Sequence, residues 1–387
     1  MHRLVLFSVL IFMFFNACQM DKKMNTPPSN PILFVGTYTQ KEGHVDGKGE
    51  GIYVFEMDTL TGALKYLNTS EPIVSPSYLS VHPNGKQVYA VNEFDGGESF
   101  ATLTALNFNQ ETHDLKVINQ VSSLGQYPCH ISIDRTGKFV MAANYVGGSV
   151  VLYPILENGA LGKYADYKKH EGESNHPRQE APHAHQIIQH PETGQVFAVD
   201  LGADKIYEYQ LDTASMTLNE VRAFNNEPKM SGPRHMAFHP EKNVVYVLNE
   251  LIGTVGVTEM RATNTFIGNV QMISTQEEGD LREPASAAIK VHPSGQFLYV
   301  SNRGDMNEII IFTIGKNGEL ERIGHQSTFG KTPRDFVIDL SGKFLLVANQ
   351  DTDTIITFAI DQKTGLLSET GHQLTVPSPV CLKFLGE

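Results

Sequence analysis

Alternating apolar and polar positions recur along most of the chain in one repeated unit of 17 residues. In each unit an alternating stretch precedes a turn of the His-Pro-x-Gly kind, and a β-branched or aromatic run follows the turn. This order predicts a β-hairpin, because period-two alternation is typical of strands and Pro and Gly are typical of turns. The six units end at Asn92, Asn144, Asp200, Asn249, Asn302 and Asn349.

Further strand-like segments lie between the hairpins, and no segment has a convincing helical period. They occupy residues 51–58, 149–156, 205–212, 308–315 and 354–361. A repeat of about 45 to 55 residues that holds about four strands is typical of a β-propeller blade, whose faces are covered by its neighbours. The sequence therefore predicts an all-β propeller.

The two ends of the repeat region each contain half of a hairpin. Residues 378–384 resemble the first strand of the unit, and residues 32–38 resemble the second. Pairing the two halves would close the ring and satisfy backbone groups at two open sheet edges. We therefore predict a seven-bladed β-propeller that forms a single domain over residues 31–387.

The N-terminus has the pattern of a targeting segment. A positive charge at Arg3 precedes an apolar run over residues 4–15, which is too short to span a bilayer but suits a signal peptide. Residues 1–18 are therefore expected to direct export and to lie outside the folded domain.

The end of this segment also predicts a lipid anchor. Residues 15–18 resemble a bacterial lipobox, whose cysteine, here Cys18, becomes the lipid-bearing first residue of the mature protein. Residues 19–30 are polar and contain proline, as expected of a flexible tether. The expected location is the periplasm or, for a lipoprotein, the outer membrane, whereas an unused signal would leave the chain in the cytoplasm.

Charge and cysteine content narrow the range of partners. The formal net charge is −13, which argues against binding of nucleic acid or of an anionic membrane surface, because like charges repel. Membrane contact would then come only from the N-terminal lipid. Cys129 and Cys381 lack the CxxC spacing of zinc and redox sites, and we expect no metal and no cofactor.

The hairpins gather polar residues at one end of the propeller. The start of the first strand and the end of the second lie on the same rim, which is the mouth of the central channel. Candidate site residues at this mouth are Glu93, His130, His183, His185, Arg234, Glu250, Arg303, Arg334 and Gln350. Propeller packing does not require arginine or glutamate there, so the two interpretations are a functional site and a salt-bridge network between blades.

Two other recurring residue types are better explained by structure. The Asn that closes most units is typical of a turn cap, because its amide bonds to nearby backbone groups. A histidine before the turn proline belongs to the opposite rim, and we assign it no chemistry. These histidines are His82, His190, His239 and His292.

Five motifs carry a resemblance to a known family. They are APHAH (181–185), GPRH (232–235), YVLNE (246–250), SNRG (301–304) and TPRDF (332–336). Together they resemble the lactonase family of seven-bladed propellers, which includes bacterial 6-phosphogluconolactonases and, more distantly, fungal carboxy-cis,cis-muconate cyclase. The likeness extends over residues 32–385.

The resemblance implies an active site and a substrate class. It implies that His185, Arg234, Glu250 and Arg303 form the catalytic group, and that the partner is a small-molecule lactone, anionic in the 6-phosphogluconolactonases. The substrate of those enzymes belongs to the pentose phosphate pathway of the cytoplasm. The predicted export of this chain disagrees with that location.

A mechanism without a covalent nucleophile suits these residues, since the chain has no GxSxG motif. Arg234 and Arg303 are expected to hold the substrate and stabilise the oxyanion, because guanidinium binds phosphate and carboxylate bidentately. His185 and Glu250 form the acid/base pair, and we favour His185 as the base. Candidate substrate contacts are Arg334, His183, His130, Glu93 and Gln350.

Three other functions stay open at this point. A lactonising cyclase of the muconate type would use the same residues in the reverse direction. A non-catalytic, exported binding protein is the second alternative. The third is a calcium-dependent lactonase of the six-bladed type, which the arginines and the count of seven blades argue against.

Overall fold

The described chain covers the repeat region almost completely. A computed structural model describes residues 30–43, 45–97, 100–260 and 266–386. The predicted signal segment with Cys18, and the tether as far as residue 29, lie outside the described residues. In the part that is described, no helix is long and apolar enough to cross a membrane.

Seven four-stranded antiparallel sheets form the blades of the propeller, which confirms the predicted all-β fold. Blade 1 contains β1 (Ile32–Thr37), β4 (Tyr53–Met57), β5 (Leu64–Thr69) and β30 (Pro379–Phe384), and a short hairpin of β2 (Lys41–Glu42) and β3 (Val45–Asp46) follows β1. Blade 2 contains β6 (Tyr78–Val81), β7 (Gln87–Asn92), β8 (Thr102–Phe108) and β9 (Leu115–Ser122). Blade 3 contains β10 (Pro128–Ile133), β11 (Phe139–Asn144), β12 (Ser149–Pro154) and β13 (Asp166–Lys169).

The remaining four blades follow the same order. Blade 4 contains β14 (Ala184–Gln189), β15 (Gln195–Asp200), β16 (Lys205–Asp212) and β17 (Thr217–Asn225). Blade 5 contains β18 (Pro233–Phe238), β19 (Val244–Asn249), β20 (Thr254–Met260) and β21 (Phe266–Ser274). Blade 6 contains β22 (Ser286–Val291), β23 (Phe297–Asn302), β24 (Glu308–Ile314) and β25 (Leu320–Ser327). Blade 7 contains β26 (Pro333–Ile338), β27 (Phe344–Asn349), β28 (Thr354–Ile360) and β29 (Leu367–Thr375), with a single 3-10 turn at Gln350–Thr352.

The ring closes between the two ends of the chain, as predicted. Strand β30 pairs with β1 in antiparallel register, with Leu33 opposite Phe384 and Val35 opposite Leu382. All four side chains are buried. The pairing removes the open edge that each half-hairpin would otherwise present to solvent.

The hydrophobic core lies between the blades. One representative cluster joins Met141 and Leu152 of blade 3 to Ile187 and Val196 of blade 4. Each blade has two apolar faces because successive strand side chains point to opposite sides, so each face is covered by the next blade. This stacking holds the first strands around the channel.

The asparagines that close the units have a structural role. The side chains of Asn92, Asn144 and Asn349 are fully buried. Their Nδ2 groups donate to backbone carbonyls of the preceding connection, for example Asn144 to Ser123 at 2.9 Å and Asn349 to Thr328 at 3.0 Å. They therefore fix the strand ends that carry the site.

The histidines before the turn prolines link neighbouring blades at the opposite rim. The Nε2 groups of His82 and His239 contact the carbonyl oxygens of Gly137 and Gly295, both at 2.9 Å. Nε2 of His292 makes the equivalent contact with Gly342 at 2.8 Å. These contacts give His82, His239 and His292 a structural role between blades.

Candidate active site

The residues predicted as catalytic meet at one pocket. His185, Arg234, Glu250 and Arg303 line a cavity of about 610 Å³ at the mouth of the central channel. Glu93, Arg334 and Gln350, predicted as substrate contacts, line the same cavity. Residues from far apart in the sequence are brought together here by the circular order of the blades.

A recurring β-bulge aims side chains into this pocket. In four blades the register of the first two strands shifts around the second residue of the first strand. That residue is Cys129, His185, Arg234 or Arg334, and all four line the pocket. A bulge bends the strand and redirects the extra side chain, so one position per blade faces the mouth.

The residue after each bulge faces the other end of the channel. There a second cavity of about 440 Å³ is lined by residues that include His130, Gln186, His235 and Asp335. His130 was predicted as a substrate contact at the mouth, but the structure places it in this second cavity. The bulge turns the side chain of Cys129 towards the mouth, whereas His130, the next residue of the strand, lines the second cavity.

Glu250 is the centre of a buried ion-pair cluster. Its Oε2 lies 2.9 Å from Nε of Arg234, a contact that is close but not aligned as a hydrogen bond. Its Oε1 lies 2.9 Å from Nη2 of Arg303 and 2.6 Å from Nη1 of Arg178. Burial opposes ionisation of Glu250, but the three arginines outweigh it and hold the pKa of the carboxyl well below its usual range. The carboxylate is therefore charged at neutral pH.

Backbone contacts fix two of these arginines and leave donors for a ligand. Nη1 of Arg234 donates to the carbonyl of Ala287, and Nε of Arg303 donates to the carbonyl of Ala285 at 3.1 Å. The contacts of Arg234 within the described chain involve Nε and Nη1, and those of Arg303 involve Nε and Nη2, which leaves Nη2 of Arg234 and Nη1 of Arg303 for a ligand. Burial, assisted by Arg303, lowers the pKa of Arg234 to about 10, so this guanidinium group stays charged at neutral pH.

His185 contributes a neutral imidazole to the pocket. Burial, with the nearby charge of Arg234, lowers the pKa of His185 well below its usual value. Its Nδ1 is buried without a hydrogen-bond partner, which leaves Nε2 as the ring nitrogen that can face the pocket. The ring packs edge-on against Tyr145, with ring centroids 5.6 Å apart.

Glu93 and Arg334 form a second ion pair across the pocket. Nη2 of Arg334 donates to both carboxylate oxygens of Glu93 at 3.2 Å, and the guanidinium lies over the ring of Tyr38 at 5.4 Å. Ser77 Oγ donates to Glu93 at 2.5 Å. Arg334 thus neutralises a buried carboxylate, which would be costly to leave unpaired.

His183 lies behind the pocket wall, although it was predicted as a substrate contact. Its ring stacks on Tyr145 with centroids 4.5 Å apart. Its Nδ1 contacts the carbonyl of Tyr145 at 3.1 Å, and its Nε2 contacts Glu180 at 3.2 Å. Residue 183 precedes the strand and the bulge, so its side chain supports Tyr145 instead of entering the cavity.

Arg178 is a pocket residue that the sequence did not reveal. It lines the cavity, and its Nη2 donates to the hydroxyl of Tyr145 at 3.0 Å. It lies in the connection between β13 and β14, outside every repeated unit. The available signal was the length of this connection, which is the longest between successive blades.

Cys129 lines the pocket without the character of a nucleophile. Its thiol contacts the carbonyl oxygens of Ala184 and His185 at 3.6 and 3.5 Å. Burial, with Glu93 nearby, raises the pKa of the thiol well above its usual value, and the thiolate is the reactive form. Across the described ranges, no group of three or more His, Cys, Asp or Glu residues is arranged to hold a metal ion.

The structure is a seven-bladed propeller whose channel mouth contains four arginines, two glutamates and a histidine, and the family comparison agrees with this architecture. A family model described as "Lactonase, 7-bladed beta-propeller" matches residues 32–384. The chain belongs to this lactonase family, which confirms the resemblance seen in the motifs, and it is an enzyme of that family.

Individual relatives match over most of the chain. It is 35% identical over 357 residues to the 6-phosphogluconolactonase of Bacillus subtilis, covering 92% of this chain and 99% of the relative. It is also 35% identical over 318 residues to a 6-phosphogluconolactonase of Formosa agariphila, covering 80% and 87% of the two chains. Among solved structures, a periplasmic gluconolactonase of Pseudomonas aeruginosa aligns with a TM-score of 0.85 and 30% identity, covering 92% of this chain and 99% of that one.

Proposed function

We propose that the protein hydrolyses the lactone of a sugar acid, in the manner of a 6-phosphogluconolactonase. The observation that carries the proposal is the convergence of His185, Arg234, Glu250 and Arg303 on one pocket. The pocket combines a neutral imidazole with two guanidinium groups that each keep a donor for a ligand. Relatives named as 6-phosphogluconolactonases match over most of the chain.

Arg234 and Arg303 stabilise the oxyanion in this proposal. The carbonyl oxygen of the lactone gains negative charge as water adds to its carbon, and the two remaining guanidinium donors bind that charge. Glu250 holds both arginines in place through its two oxygens. One donor of this kind is worth roughly 10²- to 10³-fold in rate.

His185 acts as the base. It takes a proton from water while the water oxygen bonds to the carbonyl carbon. The bond from that carbon to the ring oxygen then breaks, and protonated His185 returns its proton to the ring oxygen. The hydroxy acid ionises at neutral pH, so each turnover releases one proton. A positioned base contributes on the order of 10²- to 10⁴-fold, and the ionised, arginine-bound Glu250 is better suited to orient groups than to accept a proton.

The charge of the pocket supports an anionic substrate. Four arginines line it, together with the carboxylates of Glu93, Glu250 and Asp351. This surplus of cations lies in a protein whose formal net charge is −13. A phosphate or carboxylate group on the substrate would be attracted into the mouth by the local field.

Export and lipidation at Cys18 belong to the same proposal. They are supported by the pattern of residues 1–18 and by the likeness to a protein described as a periplasmic gluconolactonase. A periplasmic location would make unphosphorylated sugar lactones accessible as well. The substrate test must therefore include both kinds.

A panel of lactones tests the proposed function. Purified mature protein is assayed by proton release with glucono-1,5-lactone and its 6-phosphate, in the presence of a chelator and against the uncatalysed rate. We expect hydrolysis well above background and a loss of about 10²- to 10³-fold in kcat/KM for Arg234→Ala. Absence of hydrolysis for the whole panel, or full activity of Arg234→Ala, would contradict the proposal.

A further inference from the structure

Four arginines line the pocket, and they differ in how deeply they are buried. The exposed fraction of the side chain is 2% for Arg234, 16% for Arg303 and 46% for Arg178, around the same carboxylate of Glu250. Arg178 therefore lies at the rim, whereas Arg234 lies on the floor. A group of the substrate distant from the lactone carbonyl would meet Arg178 first.

The arginines also differ in whether a buried carboxylate would keep another cation if the arginine moved away. Glu250 would keep Arg234 at Oε2 and Arg303 at Oε1 if Arg178 moved away. Arg334, in contrast, is the arginine that neutralises Glu93. Leaving a buried carboxylate without its cation is strongly unfavourable. Arg234 and Arg303 are also held by backbone carbonyls, whereas the guanidinium of Arg178 would give up only Glu250 and the hydroxyl of Tyr145. Among the described pocket residues, Arg178 can therefore change partner at the lowest cost.

The backbone around Arg178 is fixed, so the side chain is the part that can move. The neighbouring Gln179 is fully buried, and its Nε2 donates to the carbonyl of Leu201 at 2.7 Å. The start of the same connection is anchored by His170, whose Nδ1 lies 2.7 Å from Asp200 and whose Nε2 lies 3.0 Å from the hydroxyl of Tyr209. These contacts hold the backbone on either side of Arg178 in place.

We infer that Arg178 is the specificity-determining residue of the pocket: its guanidinium leaves Glu250 and binds the anionic group of the substrate, while Arg234 and Arg303 bind the lactone carbonyl. The part of the inference that concerns the lactone carbonyl rests on the proposed function. Binding of an anion by Arg178 does not require that the lactone is hydrolysed. The four arginines of the pocket exceed its three carboxylates by one positive charge, and a phosphate monoester of about −1.5 to −2 is an anion that this surplus attracts.

The exchange has a consequence for Glu250. The charged and titratable groups that face it are Arg178, Arg234, Arg303, Arg334, His185 and Tyr145. Removal of the charge at residue 178 withdraws one of the three close cations that hold the pKa of Glu250 down. The pKa of Glu250 then rises, and an activity that needs the ionised carboxylate is lost at a higher pH than in the wild type.

The test compares Arg178→Gln and Arg178→Lys with a matched control. Arg222 is a suitable control because it is a 36% exposed arginine whose Nε lies 2.8 Å from a fully buried carboxylate, that of Glu208, in the outer strands of blade 4. We expect Arg178→Gln to lower the kcat/KM ratio of the 6-phosphorylated over the unphosphorylated lactone by about 10- to 100-fold, the effect of losing one charge-assisted hydrogen bond. Arg178→Lys is expected to lose less and to keep the acid limb of the wild-type pH profile. Arg222→Lys, which keeps a cation beside Glu208, is expected to match the wild type in both readouts.

A binding measurement separates this inference from the proposed function. Titration calorimetry with 6-phosphogluconate and gluconate, which need no turnover, is run on wild type and Arg178→Gln. Loss of the preference for 6-phosphogluconate in Arg178→Gln supports the inference even if neither lactone is hydrolysed. Equal losses for both ligands, or a preference that survives in Arg178→Gln, would overturn it.

Discussion

The two ends of the channel are built from the same hairpins but carry different kinds of polar group. At the pocket end, the bulge residues and strand ends present charged side chains, paired around Glu250 and Glu93 and with donors left over for a ligand. At the opposite rim, Nε2 of His82, His239 and His292 contacts a carbonyl oxygen of the next blade. The difference is that the recurring histidines link neighbouring blades, whereas residue types that vary from blade to blade line the pocket.

The bulge sharpens this difference within single strands. Arg234 faces the pocket and His235, the next residue, faces the second cavity. The same separation holds for His185 and Gln186, and for Cys129 and His130. Adjacent residues of one strand thus line different cavities. Substitutions at such pairs test whether the activity depends on the pocket or on the second cavity.

The largest effect is expected from Glu250→Gln. The substitution leaves three arginines without their common carboxylate, so we expect the free energy of unfolding to fall by about 3–5 kcal/mol and activity to be lost with it. Chemical denaturation and kcat/KM measure the two effects.

The pH dependence of stability gives an independent reading of the same residue. The folded-state pKa of Glu250 is depressed, so its stabilising contribution is present above the unfolded value of about 4.3 and is lost as pH falls below that value towards the folded pKa. Thermal unfolding between pH 3 and 7 should therefore show a weaker acid dependence in Glu250→Gln than in the wild type. Equal acid dependence in the two proteins would remove the ion-pair account of Glu250.

A smaller effect is expected at the opposite rim. His82→Ala removes one hydrogen bond between blades, and we expect the free energy of unfolding to fall by about 0.5–1.5 kcal/mol with kcat/KM for the lactone unchanged. A fall in kcat/KM at unchanged stability would show that the two ends are not separate in function.

The fold could be predicted from the sequence because the evidence for it is repeated. Each hairpin unit contains the same alternation and the same turn, and the half-units over residues 32–38 and 378–384 were each incomplete alone. Their pairing is observed, with Val35 opposite Leu382. Because the pattern recurs in every blade, a wrong strand assignment in one blade would not change the predicted fold.

The site could be predicted only in part, because its details depend on local geometry. The hairpin rule brings His185, Arg234, Glu250 and Arg303 to one mouth, but it does not show the bulge that sends His130 to the other cavity. Arg178 was not predicted because it lies in a connection outside the repeat, so no equivalent position in another blade could be compared with it. The direction of a side chain next to a bulge and the path of a connecting loop depend on contacts with other parts of the fold, and the sequence pattern of one unit does not show those contacts.

The catalytic assignment is tested most directly by two neighbouring histidines. His185 and His235 are similarly buried, with exposed fractions of 5% and 6%, and their ring centroids are 5.2 Å apart, yet only His185 lines the pocket. Initial rates of proton release from glucono-1,5-lactone and its 6-phosphate are compared for His185→Ala and His235→Ala. We predict that His185→Ala lowers kcat by about 10²- to 10⁴-fold while His235→Ala stays within about threefold of the wild type, and equal rates for the two variants would contradict the account.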